Sequence, residues 1–407
     1  MREGVSAHPF APFASVALVA LVASLFAGCS SKSAPSDAPS NDAGGDGAPV
    51  PRTVTAGSDR YERAGPHPVG HATFTAIDEA RGRPLRFELW YPADESARAA
   101  ASAGTKLEDL EPAGASHDAL AKLVAAAPKG CTRRMTSSVA DAPPAPTGAF
   151  PLVVFSHCHD CMRFSALSIG ERLASHGVAM IAPDHAGNTL WDHLAGVEAP
   201  IDKTTLATRV GDVRFALDVA LVRPSDLPAQ LRGRFDATKV GALGHSFGSA
   251  TTGAVAAQEP RIKAAFGIAA PFESALLPPT KMADIHVPVF FLLAQEDNSI
   301  TEIGNGLIRQ NFKIGASPIW LAEVADAGHW SFSDVCGLTD SFSAGCGVAQ
   351  RQTDSTEVVA YLDNEGARGL AASYAAAFFA AELQGDEDGK AFLGAPHPKD
   401  LVTLSAR

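Results

Sequence analysis

From Pro151 onward the chain repeats one pattern: a short apolar run, a polar stretch with helical periodicity, then another apolar run. The runs are PLVVFS, VAMIAP, KVGALG, IKAAFGIA, VPVFFLLA and IWLAEV. They are continuous rather than alternating, and rich in Val, Ile and Phe. Such runs suit parallel strands buried on both faces, because crossover helices cover the sheet above and below. Between them, Leu206, Val210, Val213, Leu217 and Leu221 mark one apolar face at helical spacing, and GLAASYAAAFFAAEL near the end forms a second helix candidate. Strands alternating with helices predict an α/β fold with a mostly parallel central sheet flanked by helices.

Upstream the pattern differs. HATFTAI and LRFELWY alternate apolar and polar around DEARGRP, which predicts an N-terminal β-hairpin of half-buried strands. Residues 94–149 lose this order and are rich in Ala, Ser, Pro and Gly. They read as an insertion, either over the site or as a surface excursion. The chain of 407 residues carries a net charge of −12, and its Lys and Arg residues are scattered, which argues against a nucleic-acid partner.

The N-terminus reads as a targeting segment. FASVALVALVASLFAG is about the length of a signal peptide and short for a membrane span. It ends at Cys29, and LFAGC resembles a bacterial lipoprotein signal cut before a cysteine that becomes lipidated. An ordinary cleaved signal with an incidental cysteine is the alternative. Residues 29–60 are dominated at first by Ser, Ala, Pro, Asp and Gly, which cannot bury enough apolar area to offset ordering entropy. The expected organisation is a signal over 1–28, a disordered tether over 29–60 and a catalytic domain over 61–400. The protein would be exported to the cell envelope and held at a membrane through Cys29. Export permits disulfides. Cys336 with Cys346, flanking a short Gly/Ser loop, is the first expected pair; Cys131 with Cys158 or Cys161 is the second, leaving one free thiol.

Gly244-His245-Ser246-Phe247-Gly248 lies between the run KVGALG and the helix-compatible SATTGAVAAQ. G-x-S-x-G in a strand–turn–helix context describes a nucleophile elbow, which raises Ser246 above the sheet. Serine needs a base held in the right tautomer, and in this arrangement the acid and then the histidine follow in the chain. Asp297 lies in the loop after VPVFFLLA, and His329 in the loop after IWLAEV. Glu296 and Glu273 are alternative acids; Asp326 reads as a turn residue. The backbone N–H of Phe247 is one expected oxyanion donor. The other should come from HCHDC after PLVVFS, at His159 or Cys158. Histidine, cysteine and aspartate over His157–Cys161 also permit a zinc hypothesis, although adjacent residues rarely converge on one ion and oxidation would consume the thiols.

GPHPVG, RGRPLRFELWYPA, PLVVFSH, APDHAGNT, GHSFGSA and AGHWSFSD resemble the bacterial predicted dienelactone hydrolases, related to platelet-activating-factor acetylhydrolases and polyester-cleaving hydrolases. The resemblance spans about residues 63–395 and is specific to no one substrate. It implies an α/β-hydrolase fold and cleavage of carboxylic esters without a cofactor, with Ser246 as nucleophile, His329 as base and Phe247 as an oxyanion donor. Serine at the elbow departs from dienelactone hydrolases proper, which use cysteine. HCHDC departs from the family's His-Gly pattern. His185, Phe272, Trp330 and Phe332 are expected to line the substrate pocket, and Asp184 either to line it or to order its loop. The expected partner is a small-molecule or lipid ester. A catalytically silent binding lipoprotein and a metal-dependent hydrolase are the competing readings.

Overall fold

The structure, a computed structural model, describes residues 49–407; the signal segment, Cys29 and the tether up to residue 48 lie outside the described residues. One sheet of ten strands organises them. In chain order the strands are β1 (Val69–Asp78), β2 (Arg83–Pro92), β3 (Ser138–Ala140), β4 (Phe150–Ser156), β5 (Ala179–Pro183), β6 (Phe235–His245), β7 (Ile262–Ile268), β8 (Val289–Ala294), β9 (Ile319–Val324) and β10 (Val402–Ala406). Their order across the sheet is β10-β9-β8-β7-β6-β4-β5-β2-β1-β3. The six strands from β9 to β5 run parallel. β2 joins β5 antiparallel, and β10 closes the far edge antiparallel to β9.

The continuous apolar runs have the expected cause. On β8, Phe290 and Leu292 enter one core layer, while Val289, Phe291 and Leu293 enter another. The first layer packs under helices α2 (Leu167–Ser175) and α6 (Asn364–Phe379); on the opposite side β4 and β6 pack under α4 (Lys203–Leu221) and α5 (Phe247–Gln258). Asp202 caps α4 by accepting from the N–H groups of Thr204 and Thr205 at 2.9 and 2.8 Å. Leu206, Val210, Val213 and Leu217 are then buried as the spacing predicts. This is the α/β-hydrolase fold.

Three boundaries differ from expectation. β2 is buried on both faces rather than half-buried, because it extends the parallel sheet instead of ending it. The chain is ordered before residue 61: Arg52 pairs with Asp326 at 3.0 Å, and the Val54 N–H donates to Asp363 at 2.7 Å. Polar anchors of this kind leave no hydropathy signal. The terminal VTLSA, beyond the expected end at 400, is strand β10.

The 94–149 insertion is docked on the body. Its helix α1 (Ala115–Ala126) buries Leu120 and Val124, and β3 extends the sheet beside β1. A fully buried Arg163 pins it further, donating to Glu111 at 2.6 Å, Asp184 at 2.9 Å and Glu88 at 3.3 Å. A lone buried charge would be costly, so one guanidinium shared by three carboxylates joins the insertion to β2 and to the loop after β5. Asp184 thereby orders its loop.

The disulfides are Cys131–Cys346 and Cys158–Cys161, with Cys336 a buried free thiol. Both expected pairings are therefore corrected. Cys336 faces the core, and its carbonyl accepts from Thr132 at 2.7 Å, which brings neighbouring Cys131 to Cys346 instead. Cys161 closes on Cys158 within its own turn.

Candidate active site

Ser246 stands between β6 and α5 with φ 56° and ψ −122°, outside the ordinary regions for a non-glycine residue. The turn is over-determined by its surroundings. Ser246 N–H donates to the Ile268 carbonyl at 2.9 Å, and Ser249 N–H donates back to the Ser246 carbonyl at 2.8 Å. A Cβ on Gly244 would collide with the Gly248 carbonyl, and one on Gly248 with the carbonyls of Ser156 and His157. Both glycines of the motif are thus required by backbone approach. Ser246 itself remains partly exposed.

Asp297 follows β8 and is fully buried. Its Oδ1 accepts from the N–H groups of Ser299 and Ile300 at 2.9 and 3.0 Å, and its Oδ2 lies 2.7 Å from Nδ1 of His329. A carboxylate accepts, so Nδ1 of His329 carries the proton and Nε2 keeps its lone pair. The rival acids are engaged elsewhere. Glu296 accepts from Arg351 and from the Gln352 N–H at 2.6 and 2.7 Å, and Glu273 from the Met282 N–H at 2.8 Å. Asp326 pairs with Arg52 and Arg351.

His245 ties the elbow to the histidine loop. Its Nε2 donates to the His329 carbonyl at 2.9 Å, and Trp330 meets both imidazoles edge-on at 5.2 and 5.0 Å. Burial pushes the His245 imidazole down to about 3. An unfolded histidine titrates near 6.5, so below that pH the unfolded chain takes up a proton that the folded chain refuses, and stability falls with pH. The loss from His245 between pH 7 and 5 is about 2 kcal/mol. His157 and His185 are also buried and shifted down, and act in the same direction. Urea unfolding at the two pH values should show the parent losing about 2 kcal/mol more than His245→Asn; equal losses would contradict this.

The turn after β4 replaces glycine flexibility with covalent and polar constraints. Asp160 adopts φ 57°, and the Cys158–Cys161 disulfide closes the turn. His157 Nδ1 donates to the Cys158 carbonyl at 2.7 Å, while its Nε2 accepts from the His185 N–H at 2.9 Å. The disulfide consumes both thiols of the zinc hypothesis for this pentapeptide. His159 and Phe247 sit side by side, ring centroids 6.3 Å apart.

Sequence reasoning missed Arg209, buried on α4. It donates to the His157 carbonyl, to Ser156 Oγ at 3.3 Å, to Asn188 and to Thr251 Oγ1 at 3.2 Å. Its guanidinium also stacks 4.6 Å over the Phe247 ring. One side chain therefore braces both segments expected to supply oxyanion donors. Burial lowers its pKa to about 9, so it remains charged near neutrality. An arginine within a helix that also carries Lys203, Asp212 and Arg214 reads as surface, which hid it. As a positioning residue it should act on kcat: Arg209→Met is expected to lower kcat about 10²-fold with little change in KM. Steady-state kinetics on a variant shown folded by circular dichroism test this, and a kcat within about threefold of the parent would refute it.

Three expected pocket residues are placed elsewhere. His185 is buried, bonding Ser156 Oγ at 2.9 Å and Asp212 at 3.1 Å. Phe272 packs on Phe291, and Phe332 lies in the core. Proximity in sequence to a site loop does not separate a pocket wall from a core plug. Trp330 stays beside His329.

The comparisons agree with this α/β-hydrolase. Residues 143–306 match the PET hydrolase-like family, and residues 54–192 match platelet-activating factor acetylhydrolase, isoform II. Cutinases est1 and est2 of Thermobifida alba are each 35% identical over 97 residues, which is 24% of this chain and 27% of theirs. The chain thus matches about a quarter of the length of these relatives. A ferulic acid esterase from Streptomyces cinnamoneus superposes with a TM-score of 0.59 at 25% identity, covering 87% of this chain and 99% of that one. The resemblance to acetylhydrolases and polyester-cleaving hydrolases is borne out.

Proposed function

We propose that the protein is an exported serine hydrolase of carboxylic esters. The observation that carries this is the 2.7 Å contact between His329 Nδ1 and Asp297, on a loop tied to the strained Ser246 elbow. The esterase and cutinase relatives support the bond type. His329 Nε2 takes the proton from Ser246 Oγ as Oγ attacks the ester carbonyl carbon. The N–H groups of Phe247 and His159 stabilise the oxyanion. His329 then protonates the leaving alkoxide, and water, activated by the same imidazole, releases the acid from the acyl-enzyme. No cofactor takes part in these steps.

Export is supported by two disulfides in the described residues. No helix among those residues is long and apolar enough to cross a membrane. Lipidation of Cys29, ahead of a polar tether, would supply the attachment. Turnover of a p-nitrophenyl ester series of increasing acyl length tests the reaction. Hydrolysis with a clear chain-length optimum is expected; ester binding without turnover would make the protein a silent binder.

A further inference from the structure

The turn carrying His159 presents a group of donors that the ester chemistry does not use. Asp160 Oδ2 lies 3.2 Å from His193 Nδ1 and 2.9 Å from His159 Nδ1, and Glu198 Oε1 lies 3.5 Å from His193 Nδ1. Asp160, His193 and Glu198 each offer one ligand atom, and these atoms all lie within 4.8 Å of one another. We propose that these residues, with His159 beside them, form a binding site for one divalent transition-metal ion of the zinc type.

Proton bookkeeping points to a cation. His159 Nε2 lies 2.9 Å from the Ala199 carbonyl, which can only accept, so Nε2 carries the proton. In the neutral ring Nδ1 then holds a lone pair, and it faces a carboxylate oxygen. His193 Nδ1 is buried near two carboxylates without a formed hydrogen bond, and Asp160 Oδ1 is buried without any partner. Among the described residues no lysine or arginine forms an ion pair with Asp160 or Glu198, whose ion-pair partners are these histidines; the buried Arg209 guanidinium acts on Asp160 only at longer range. Two carboxylates and two imidazoles thus converge with no lysine or arginine in ion-pair contact among the described residues.

The spacing and donor types select the ion. Zinc bonds of about 2.0–2.1 Å in a tetrahedron put ligand atoms about 3.3 Å apart. The 3.2 and 3.5 Å separations around His193 match that edge. Imidazole donors favour zinc, copper or nickel over calcium and magnesium, which prefer an all-oxygen shell.

The ligands are held by separate constraints. Asp160 sits in the disulfide-closed turn. His193 lies on α3 (Leu190–Leu194), whose start is fixed by the reciprocal cap of Thr189 and Asp192. Glu198 precedes Ala199, whose N–H bonds the Gly187 carbonyl at 2.7 Å. His193 and Glu198 keep about a third of their side-chain surface exposed, which leaves a path for the ion. A bound ion would clamp the turn carrying His159, whose N–H is the proposed second oxyanion donor, to the 190–199 segment.

The test uses the full chain without a histidine tag, stripped with a chelator and titrated with Zn²⁺, Co²⁺ and Ca²⁺. Calorimetry should give one Zn²⁺ site, Co²⁺ should develop a visible d–d spectrum, Ca²⁺ should not compete, and Zn²⁺ should raise the melting temperature. His193→Gln and Glu198→Gln should each weaken Zn²⁺ binding at least about tenfold. Absence of binding below millimolar Zn²⁺, or binding unaltered in both variants, would overturn the proposal and leave an imidazolium–carboxylate cluster. These readouts do not depend on ester turnover.

Discussion

Replacing Ser246 with alanine is expected to lower kcat for ester hydrolysis about 10⁴- to 10⁶-fold. The reason is chemical rather than structural. The substitution keeps the Cβ and the backbone, so the 2.9 Å bond from the N–H at this position to the Ile268 carbonyl survives and the fold should be intact. What disappears is the oxygen proposed to form the acyl-enzyme. The oxyanion donors and His329 would remain, and they account for a small residual rate above water. The measurement is kcat on a p-nitrophenyl ester, with the melting temperature as a control on folding. A variant retaining about a tenth of the parent rate would mean that another nucleophile, or a metal-bound water, does the work.

The second large effect concerns the acid. Asp297→Asn should lower kcat about 10⁴-fold, whereas Glu296→Gln should change it less than about tenfold. Two backbone N–H groups already bond Oδ1 of Asp297, so an asparagine must keep its oxygen there. Its NH₂ group then faces Nδ1 of His329 in place of Oδ2. A donor in that place favours the tautomer protonated on Nε2, and the base loses the lone pair needed to take a proton from serine. Glu296 touches Arg351 and Gln352 rather than the imidazole. Comparable losses in both variants would show that the acid is not uniquely Asp297.

The sequence was most informative where burial is two-sided. Val289 to Leu293 must satisfy core layers above and below, so their apolar run is unbroken and the parallel sheet can be read from it. The elbow was equally readable, because Gly244 and Gly248 answer to backbone clashes that any side chain would create. Features set by tertiary convergence left no such trace. Arg209 reaches four partners on three separate segments, and nothing in its helical position announces this. Cys131 finds Cys346 across 215 residues only because the insertion docks beside Cys336. The cluster of Asp160, His193 and Glu198 brings together residues from a turn, a short helix and a loop. Phe272 and Phe332 show the converse: their closeness to site loops suggested a pocket, while packing placed them in the core.

The most direct test of the central claim is covalent labelling with a fluorophosphonate probe, mapped by tandem mass spectrometry. The probe reports an activated serine without assuming the natural ester. One adduct on Ser246 is expected, its rate of formation falling sharply in His329→Ala. An unlabelled Ser246 in folded protein, or labelling unchanged without His329, would contradict the serine-hydrolase account.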